Sequence, residues 1–305
     1  MGLDGSTSGR AAVRLLGVPF NSDGTRAGVA AAPAALREAG LADVPGLRDA
    51  GDVAWSGDST IRSASGLLNE DGLVAMVDAV AADLGPRDEG DDAAGLPLLV
   101  GGDCPVLLGA LLWGRRRLGA VGLLMVDGHE DGYPPLQSSS GEAADSELHL
   151  ALGLPVPGLP PALARHLPLL AAEDVVLLGP RDAGALAAEG VRSLRGTVTL
   201  HDDAELRDGG PADVASREAA RLAAGTPGWW LHTDLDVLST AALPAVDYPQ
   251  PGGLDWDQLT AVARAALEHP GCLGWSVTIY NPELDEPGRP GAERVVRFVR
   301  DVLVG

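Results

Sequence analysis

The chain contains no lysine, and all 22 of its basic residues are arginines. Without lysine, neither a Schiff-base enzyme nor a P-loop phosphate site is available, because both depend on a lysine amine. Arginine is also outnumbered by 43 acidic residues, which leaves a formal net charge of −21. Since nucleic-acid binding is driven mainly by basic contacts to phosphates, we expect no nucleic-acid partner.

Cysteines and long apolar runs are scarce as well. Two cysteines, Cys104 and Cys272, are too few for a disulfide scaffold. No segment approaches the ~20 consecutive apolar residues of a membrane span, and the first ten residues are polar and lack the apolar core of a signal peptide. We therefore expect no membrane partner and a cytoplasmic location.

Hydrophobic residues nevertheless make up 46% of the 305 residues, which is enough for a sizeable buried core. Short apolar runs alternate with stretches of helical period, and this alternation is typical of βα units. The sequence predicts a single α/β domain over residues 1–305, with a parallel β-sheet that has helices on both faces. The predicted strands are Val13 to Val18, Leu96 to Val100, Ala120 to Val126, Val175 to Leu178, Thr197 to Leu200, Trp229 to Thr233 and Leu273 to Ile279. The predicted helices lie near Ala30 to Ala39, Leu73 to Leu84, Val106 to Arg117, Ala212 to Ala224, Leu254 to Glu268 and Ala292 to Leu303.

Metal-ligand residue types follow three of the predicted strands. In parallel α/β sheets, ligands bind beyond the carboxyl ends of the strands, so these positions are the first candidates for a site. Imidazole, carboxylate and thiol groups from three strand ends favour a pair of divalent cations, which carboxylates can bridge. For any one segment alone, a solvated acidic turn is an equally good interpretation. The three segments are Gly101-Gly102-Asp103-Cys104, Asp127-Gly128-His129-Glu130-Asp131 and His232-Thr233-Asp234-Leu235-Asp236.

These segments resemble the three signature motifs of the arginase/agmatinase/formiminoglutamase (ureohydrolase) family, of which the chain looks like a divergent member. Supporting similarity extends through most of the sequence, from Gly17-Val18-Pro19-Phe20 near its start to Tyr280-Asn281-Pro282 near its end. The resemblance implies an arginase-like fold, two metal ions per subunit, usually Mn²⁺, and a homo-oligomer that is a trimer or hexamer.

The resemblance also implies a ligand set. One metal would be held by Cys104, Asp127, Asp131 and Asp234, and the other by Asp127, His129, Asp234 and Asp236. Asp131 would in addition orient the hydroxide that lies between the two metals, which makes it the expected catalytic residue.

Cys104 stands where most of the family has histidine. Thiolate is a softer ligand than imidazole and shifts the preference toward metals such as Zn²⁺. The alternative is that Cys104 is a small buried residue and that this metal is weak or absent.

The substrate side departs further from the arginase pattern. Ala144 replaces a proposed proton-shuttle histidine, and Ile279 replaces the glutamate that pairs with a guanidinium. Gly184 and Ala187 stand where arginases place acidic residues for the substrate α-amine. From the alignment with substrate-contact positions of the family, we expect Tyr133, Ser140 and Glu142 to line the substrate site.

These features together predict a binuclear-metal hydrolase. It would cleave a non-peptide C–N bond of amidine, guanidine or ureide type in a small molecule, and we expect neither arginine nor agmatine to be the substrate. The alternative is a catalytically inactive pseudoenzyme that keeps the scaffold as a binding or assembly module.

Overall fold

A parallel β-sheet forms the centre of the protein. The computed structural model describes residues 13–85 and 95–304, so the polar N-terminal residues discussed above lie outside the described part. Within these ranges one sheet has eight strands in the order β2-β1-β3-β8-β7-β4-β5-β6, and every neighbouring pair is parallel. The strands are β1 (Val13–Val18), β2 (Leu47–Asp52), β3 (Leu96–Gly101), β4 (Gly122–Val126), β5 (Val175–Leu178), β6 (Thr199–His201), β7 (Trp229–Asp234) and β8 (Cys272–Thr278).

Helices connect the strands and cover both faces of the sheet. Residues of α1, α8, α9 and α10 pack into the hydrophobic core on one face, and residues of α2, α3, α4 and α5 pack into the core on the other face. No helix in the described ranges is long and apolar enough to span a membrane. The helices are α1 (Ala32–Glu38), α2 (Glu70–Asp83), α3 (Val106–Leu118), α4 (Glu147–Ala151), α5 (Pro161–Ala164), α6 (Ala183–Glu189), α7 (Asp203–Asp208), α8 (Pro211–Gly225), α9 (Trp256–Leu267) and α10 (Pro290–Val304).

The central strands are apolar on both sides because each side meets a helix layer. In β4, Leu124 and Val126 point into one core, whereas Leu123 and Met125 point into the other. All five residues of this strand are buried. This is the expected consequence of the period-2 alternation of strand side chains when both faces are covered. The predicted α/β class, with a parallel sheet between helices, is confirmed.

The elements that the sequence did not predict are exposed or short. Strand β2 at the sheet edge has the sequence LRDAGD, and five of its six residues are exposed, so it carries no apolar run. The predicted strand Thr197 to Leu200 begins too early, because β6 spans Thr199–His201. Helices α4 to α7 have four to seven residues each. Such helices are too short to show a helical period.

The carboxyl ends of β3, β4, β7 and β8 meet at one edge of the sheet. The chain turns sharply after β3, where a Cβ atom on Gly102 would lie only 1.8 Å from the backbone oxygen of Phe20. A side chain at this position would therefore force the loop apart. The turn brings Cys104 to the ends of the neighbouring strands, where the candidate site is found.

Candidate metal centre and substrate cavity

A cavity of about 690 Å³ opens at the carboxyl edge of the sheet. Of the nine residues that the sequence predicts for the site, eight line this cavity. The ninth, Asp127, is fully buried behind it. The eight lining residues are Cys104, His129, Asp131, Tyr133, Ser140, Glu142, Asp234 and Asp236.

Cys104 follows β3 and contacts residues of β7 and β8. Its Sγ atom donates a hydrogen bond to Asp234 Oδ2 at 2.8 Å and lies 3.0 Å from the hydroxyl of Thr278. The Nε2 atom of His232 is 3.4 Å from the same sulfur. Burial, reinforced by Asp234, raises the pKa of the Cys104 thiol well above its ordinary value. The cysteine is therefore a neutral thiol unless a cation stabilises the thiolate.

The loop after β4 carries Asp127, His129 and Asp131. The backbone N–H of His129 donates to Asp127 Oδ1 at 2.7 Å, whereas Asp127 Oδ2 is buried and has no hydrogen-bond partner in the described part of the chain. Asp131 adopts a left-handed backbone conformation with φ of 45°, which aspartate tolerates better than most residues. The loop thus presents carboxylate oxygens and an imidazole at one place.

Asp234 and Asp236 lie at the end of β7. The N–H of Asp236 donates to Asp234 Oδ1 at 2.6 Å, and Asp236 Oδ2 lies 2.7 Å from His129 Nδ1. The guanidinium of Arg181 donates to the backbone oxygen of Asp236 at 2.7 Å and so fixes this turn. Arg181 supports the loop through its backbone and leaves the carboxylates free to face the centre.

The electrostatics of this cluster favour cations. Burial, together with Asp236, raises the pKa of Asp127 to about 8, and burial and Asp236 also raise that of Asp234 well above its usual range. Burial lowers the pKa of His129, but the neighbouring Asp236 outweighs it and raises the value to about 9. Carboxylates crowded in a dry site resist ionisation together, and a divalent cation removes that penalty.

Two groups of side chains bring their ligand atoms close enough together to hold a metal ion. Asp127, His129 and Asp236 form one group, and Cys104, Asp127, Glu147 and His232 form the other; within each group the ligand atoms lie within 4.8 Å of one another. Asp131 and Asp234, which the family resemblance assigned to a metal, are neighbours of these groups. Asp234 contacts the Cys104 sulfur, and burial and Asp127 raise the pKa of Asp131 well above its ordinary value.

Sequence reasoning missed Glu147 and His232. Glu147 lies on α4, where all five residues are buried, and its carboxyl group neighbours that of Asp131. The available signal was a single acid inside the apolar stretch Glu147–Ala151. His232 is part of a quoted motif, but its place inside an apolar strand gave no reason to count it as a ligand.

The predicted substrate wall forms the outer part of the cavity. The Ser140 hydroxyl donates to Asp145 at 2.6 Å, and the Tyr248 hydroxyl donates to Glu142 Oε2 at 3.1 Å. Burial and the charge of Asp103 raise the pKa of Glu142 to about 7. Burial, together with Glu189, raises the pKa of Tyr133 to about 12. These side chains therefore combine hydroxyl groups with an acid that titrates near neutral pH.

The positions that depart from the arginase pattern are also visible. Ile279 and Ala144 both line the cavity with apolar side chains. Gly184 and Ala187 are exposed on α6, outside the lining, whereas Asp182 and Glu189, near the two ends of this helix, reach the cavity. His149 is buried on α4, and its two ring nitrogens lie 3.4 and 3.3 Å from the backbone oxygens of Gly132 and Pro155. These contacts give it a structural role.

Comparison with known proteins agrees with the fold and with the motifs. A family model described as the Arginase family matches residues 11–305. The arginase of Bacillus caldovelox is 26% identical over 299 residues, which cover 93% of this chain and 95% of that protein. Its crystal structure at pH 5.6 superposes with a TM-score of 0.80 and covers 97% of this chain and 99% of that chain.

A second relative has a different name. The N(omega)-hydroxy-L-arginine amidinohydrolase of Streptomyces lavendulae is 30% identical over 193 residues, which cover 63% of this chain and 61% of that protein.

Because the family model spans nearly the whole sequence, the chain belongs to the arginase family.

Proposed function

We propose that this protein hydrolyses a non-peptide C–N bond of amidine, guanidine or ureide type in a small molecule, at a centre that holds two divalent cations. The observation that carries the proposal is the pair of ligand groups that share Asp127. A carboxylate common to two groups is what a bridged cation pair requires. Two neighbouring cations lower the pKa of a water held between them and thereby supply a nucleophile near neutral pH.

The residues present fit such a pair. Asp127 belongs to both ligand groups and is fully buried beside other acids, so its carboxylate needs a positive partner. We propose Cys104, Asp127, Asp131 and Asp234 around one ion, and Asp127, His129, Asp234 and Asp236 around the other. Mn²⁺ is the expected metal of the family, and the sulfur of Cys104 makes Zn²⁺ or another softer ion an alternative.

The chain's own groups supply orientation. The Asp131 carboxylate faces the cavity and accepts a hydrogen bond from the attacking water, which directs a lone pair of the water oxygen toward the substrate carbon. The water oxygen bonds to that carbon as one of its protons passes to Asp131, and this proton goes to the leaving nitrogen as the C–N bond breaks, so that the nitrogen departs as a neutral amine. Tyr133, Ser140 and Glu142 hold the rest of the substrate.

The charge of the cavity favours a cationic substrate. Ten acidic residues line it, three of which (Asp131, Asp234 and Asp236) are proposed metal ligands, and none of the arginines in the described part of the chain lines it. Near the proposed cation ligands, however, the apolar Ile279 stands where the arginase pattern has the glutamate that pairs with a guanidinium. That pairing is worth about 1.5–3 kcal/mol, so we propose that neither arginine nor agmatine is the substrate. Several relatives are named arginase, which does not fit this part of the proposal and makes arginine the essential comparison.

The test combines metal analysis of the purified protein with turnover of a panel of amidines, ureides and guanidines that includes L-arginine. We expect two divalent ions per chain and hydrolysis of a panel member other than arginine or agmatine. A protein with neither metal nor turnover would support the alternative of a binding or assembly module. A single domain, a homo-oligomer and a cytoplasmic location stay predictions.

A further inference from the structure

Glu147 is a buried acid that contacts another acid. It is fully buried on α4, where its carboxyl group neighbours that of Asp131. Burial raises the pKa of Glu147 well above its ordinary value. A carboxylate buried among other acids is costly unless a cation compensates for it, and the side chains with the largest influence on Glu147 are the acids Asp131, Asp127 and Asp103.

The fold holds Glu147 firmly at this place. The N–H of Leu148 donates to the backbone oxygen of Asp131 at 3.1 Å, which ties the start of α4 to the loop after β4. The N–H of Tyr133 donates to the backbone oxygen of Asp145 at 2.9 Å and adds a second tie. The helix therefore delivers the Glu147 carboxylate to the cluster as a fixed part of the structure.

His232 reaches the same point from β7. Its Nε2 atom is 3.4 Å from the Cys104 sulfur, and its Nδ1 atom is 2.7 Å from the Ser276 hydroxyl. A proton on Nδ1 would be accepted by Ser276, which leaves the Nε2 lone pair facing the cluster. Hydrogen bonds of this kind orient metal-ligating histidines. The Thr278 hydroxyl, 3.0 Å from the sulfur, is placed to donate to a thiolate.

The four ligand atoms differ in type from those of the other group. Cys104, Asp127, Glu147 and His232 offer one sulfur, one nitrogen and two carboxylates, the donor types and number that Zn²⁺ takes in tetrahedral sites. The second group, Asp127, His129 and Asp236, offers oxygen and nitrogen only, which also suits harder ions such as Mn²⁺. Cys104 lines the cavity whereas Glu147 and His232 do not, so these two form the closed back of the site.

We propose that Glu147 and His232 are metal ligands that, with Cys104 and Asp127, build a Zn²⁺-selective position, so that the two cation positions of this protein prefer different metals. The inference rests on the proposed two-cation centre and extends it. At this position Glu147 and His232 take the places that the family pattern gives to Asp131 and Asp234, and Asp131 and Asp234 face the cavity instead.

The test is a titration of the metal-stripped full chain with Co²⁺ and Zn²⁺. Co²⁺ at this position should give the sulfur-to-cobalt charge-transfer absorption that a thiolate ligand produces, and Cys104→Ser should remove it. Glu147→Gln and His232→Gln should each weaken Zn²⁺ binding by at least ~10-fold, the lower end of the loss caused by removing even an outer partner of a metal ligand. Mn²⁺ binding at the other position should stay near that of the parent.

Glu142→Gln is the matched control. It makes the same chemical change to another acid of the cavity that belongs to neither ligand group, so Zn²⁺ affinity should equal that of the parent. The Glu147→Gln protein should melt at the same or a higher temperature than the metal-free parent, because it replaces an acid buried among other acids by a neutral amide of the same size. If the Glu147→Gln protein melts at a lower temperature than the metal-free parent, its weaker Zn²⁺ binding results from damage to the fold, and the inference is contradicted.

The outcomes separate this inference from the proposed function. If Glu147→Gln and His232→Gln bind Zn²⁺ and Co²⁺ as the parent does, while the parent holds two ions and turns over a substrate, the inference is wrong and the function stands. If the parent binds no divalent ion and turns over nothing, both are wrong.

Discussion

Replacing Ile279 by glutamate should give this protein an arginase-like preference. Ile279 follows β8, its N–H donates to the backbone oxygen of Gly102 at 2.9 Å, and its side chain lines the cavity beside the cations' proposed ligands. Because the backbone is held by this hydrogen bond, Ile279→Glu changes the side chain without moving the loop. The new carboxylate would face the place where a guanidinium must lie for attack on its carbon.

The expected size of the gain follows from the interaction that is added. A charge-assisted hydrogen bond between carboxylate and guanidinium contributes about 1.5–3 kcal/mol, which corresponds to roughly a 10- to 150-fold rise in kcat/KM for L-arginine. A second effect acts on stability. Ile279 is β-branched and has φ of 71°, a left-handed conformation that costs such residues on the order of 1–3 kcal/mol. An unbranched side chain relieves part of this strain.

Two control variants separate these effects. Ile279→Leu relieves the branching without adding charge, and Ile279→Gln adds hydrogen-bonding capacity without a full charge. Urea release from L-arginine at subsaturating concentration should rise strongly for Ile279→Glu, slightly for Ile279→Gln, and not at all for Ile279→Leu. All proteins must carry the same metal content, because an added acid among the cavity carboxylates is favourable only beside bound cations. The reasoning is refuted if a fully metal-loaded Ile279→Glu protein gains nothing, or if the parent already hydrolyses arginine efficiently.

Three further predictions concern the cluster and its cavity. Asp234→Ala should lower the metal content, since its carboxylate is a proposed ligand beside His129 and Asp236, whereas Asp145→Ala should leave the metal content unchanged. Equal metal content in the two variants would exclude Asp234 as a ligand. Because Glu142 has a raised pKa of about 7 and must be ionised to attract a cation, kcat/KM for a cationic substrate should rise as pH increases through about 7. Glu142→Gln should flatten that step, and an unchanged profile would assign it to another group. Zn²⁺ should protect Cys104 from alkylation but leave Cys272 as reactive as before, as mass spectrometry can show; equal labelling of Cys104 with and without Zn²⁺ would remove it from the site.

The fold was predictable where burial leaves a pattern in the sequence. Strand β5 was predicted with its observed bounds, because all four of its residues are buried and apolar. Strand β2 was not, since an edge strand paired only with β1 can expose LRDAGD to solvent without losing its backbone hydrogen bonds. The sequence therefore predicts strands that are covered on both faces but does not predict an exposed edge strand.

The meeting of the candidate ligand residues at one edge of the sheet was predictable for a related reason. Parallel strands place their carboxyl ends at one edge, so Cys104, Asp127 and Asp234 could be expected to meet although up to 130 positions separate them. Glu147 does not follow a strand. Its position depends on how a five-residue helix docks against the loop of Asp131, and no periodicity specifies that contact.

The charge of the cavity could not be predicted from composition either. A net charge of −21 is a property of the whole surface, and the 22 arginines could have been placed anywhere. The structure places none of the described ones in the cavity lining, and the nearby Arg181 donates to backbone oxygens of Asp236 and Leu238. A substrate carboxylate would therefore meet acids without a cationic side chain to pair with, whereas a positive group would meet Glu142, Asp182 or Glu189. Away from the proposed cation ligands, this asymmetry disfavours a substrate whose end remote from the reacting carbon is anionic.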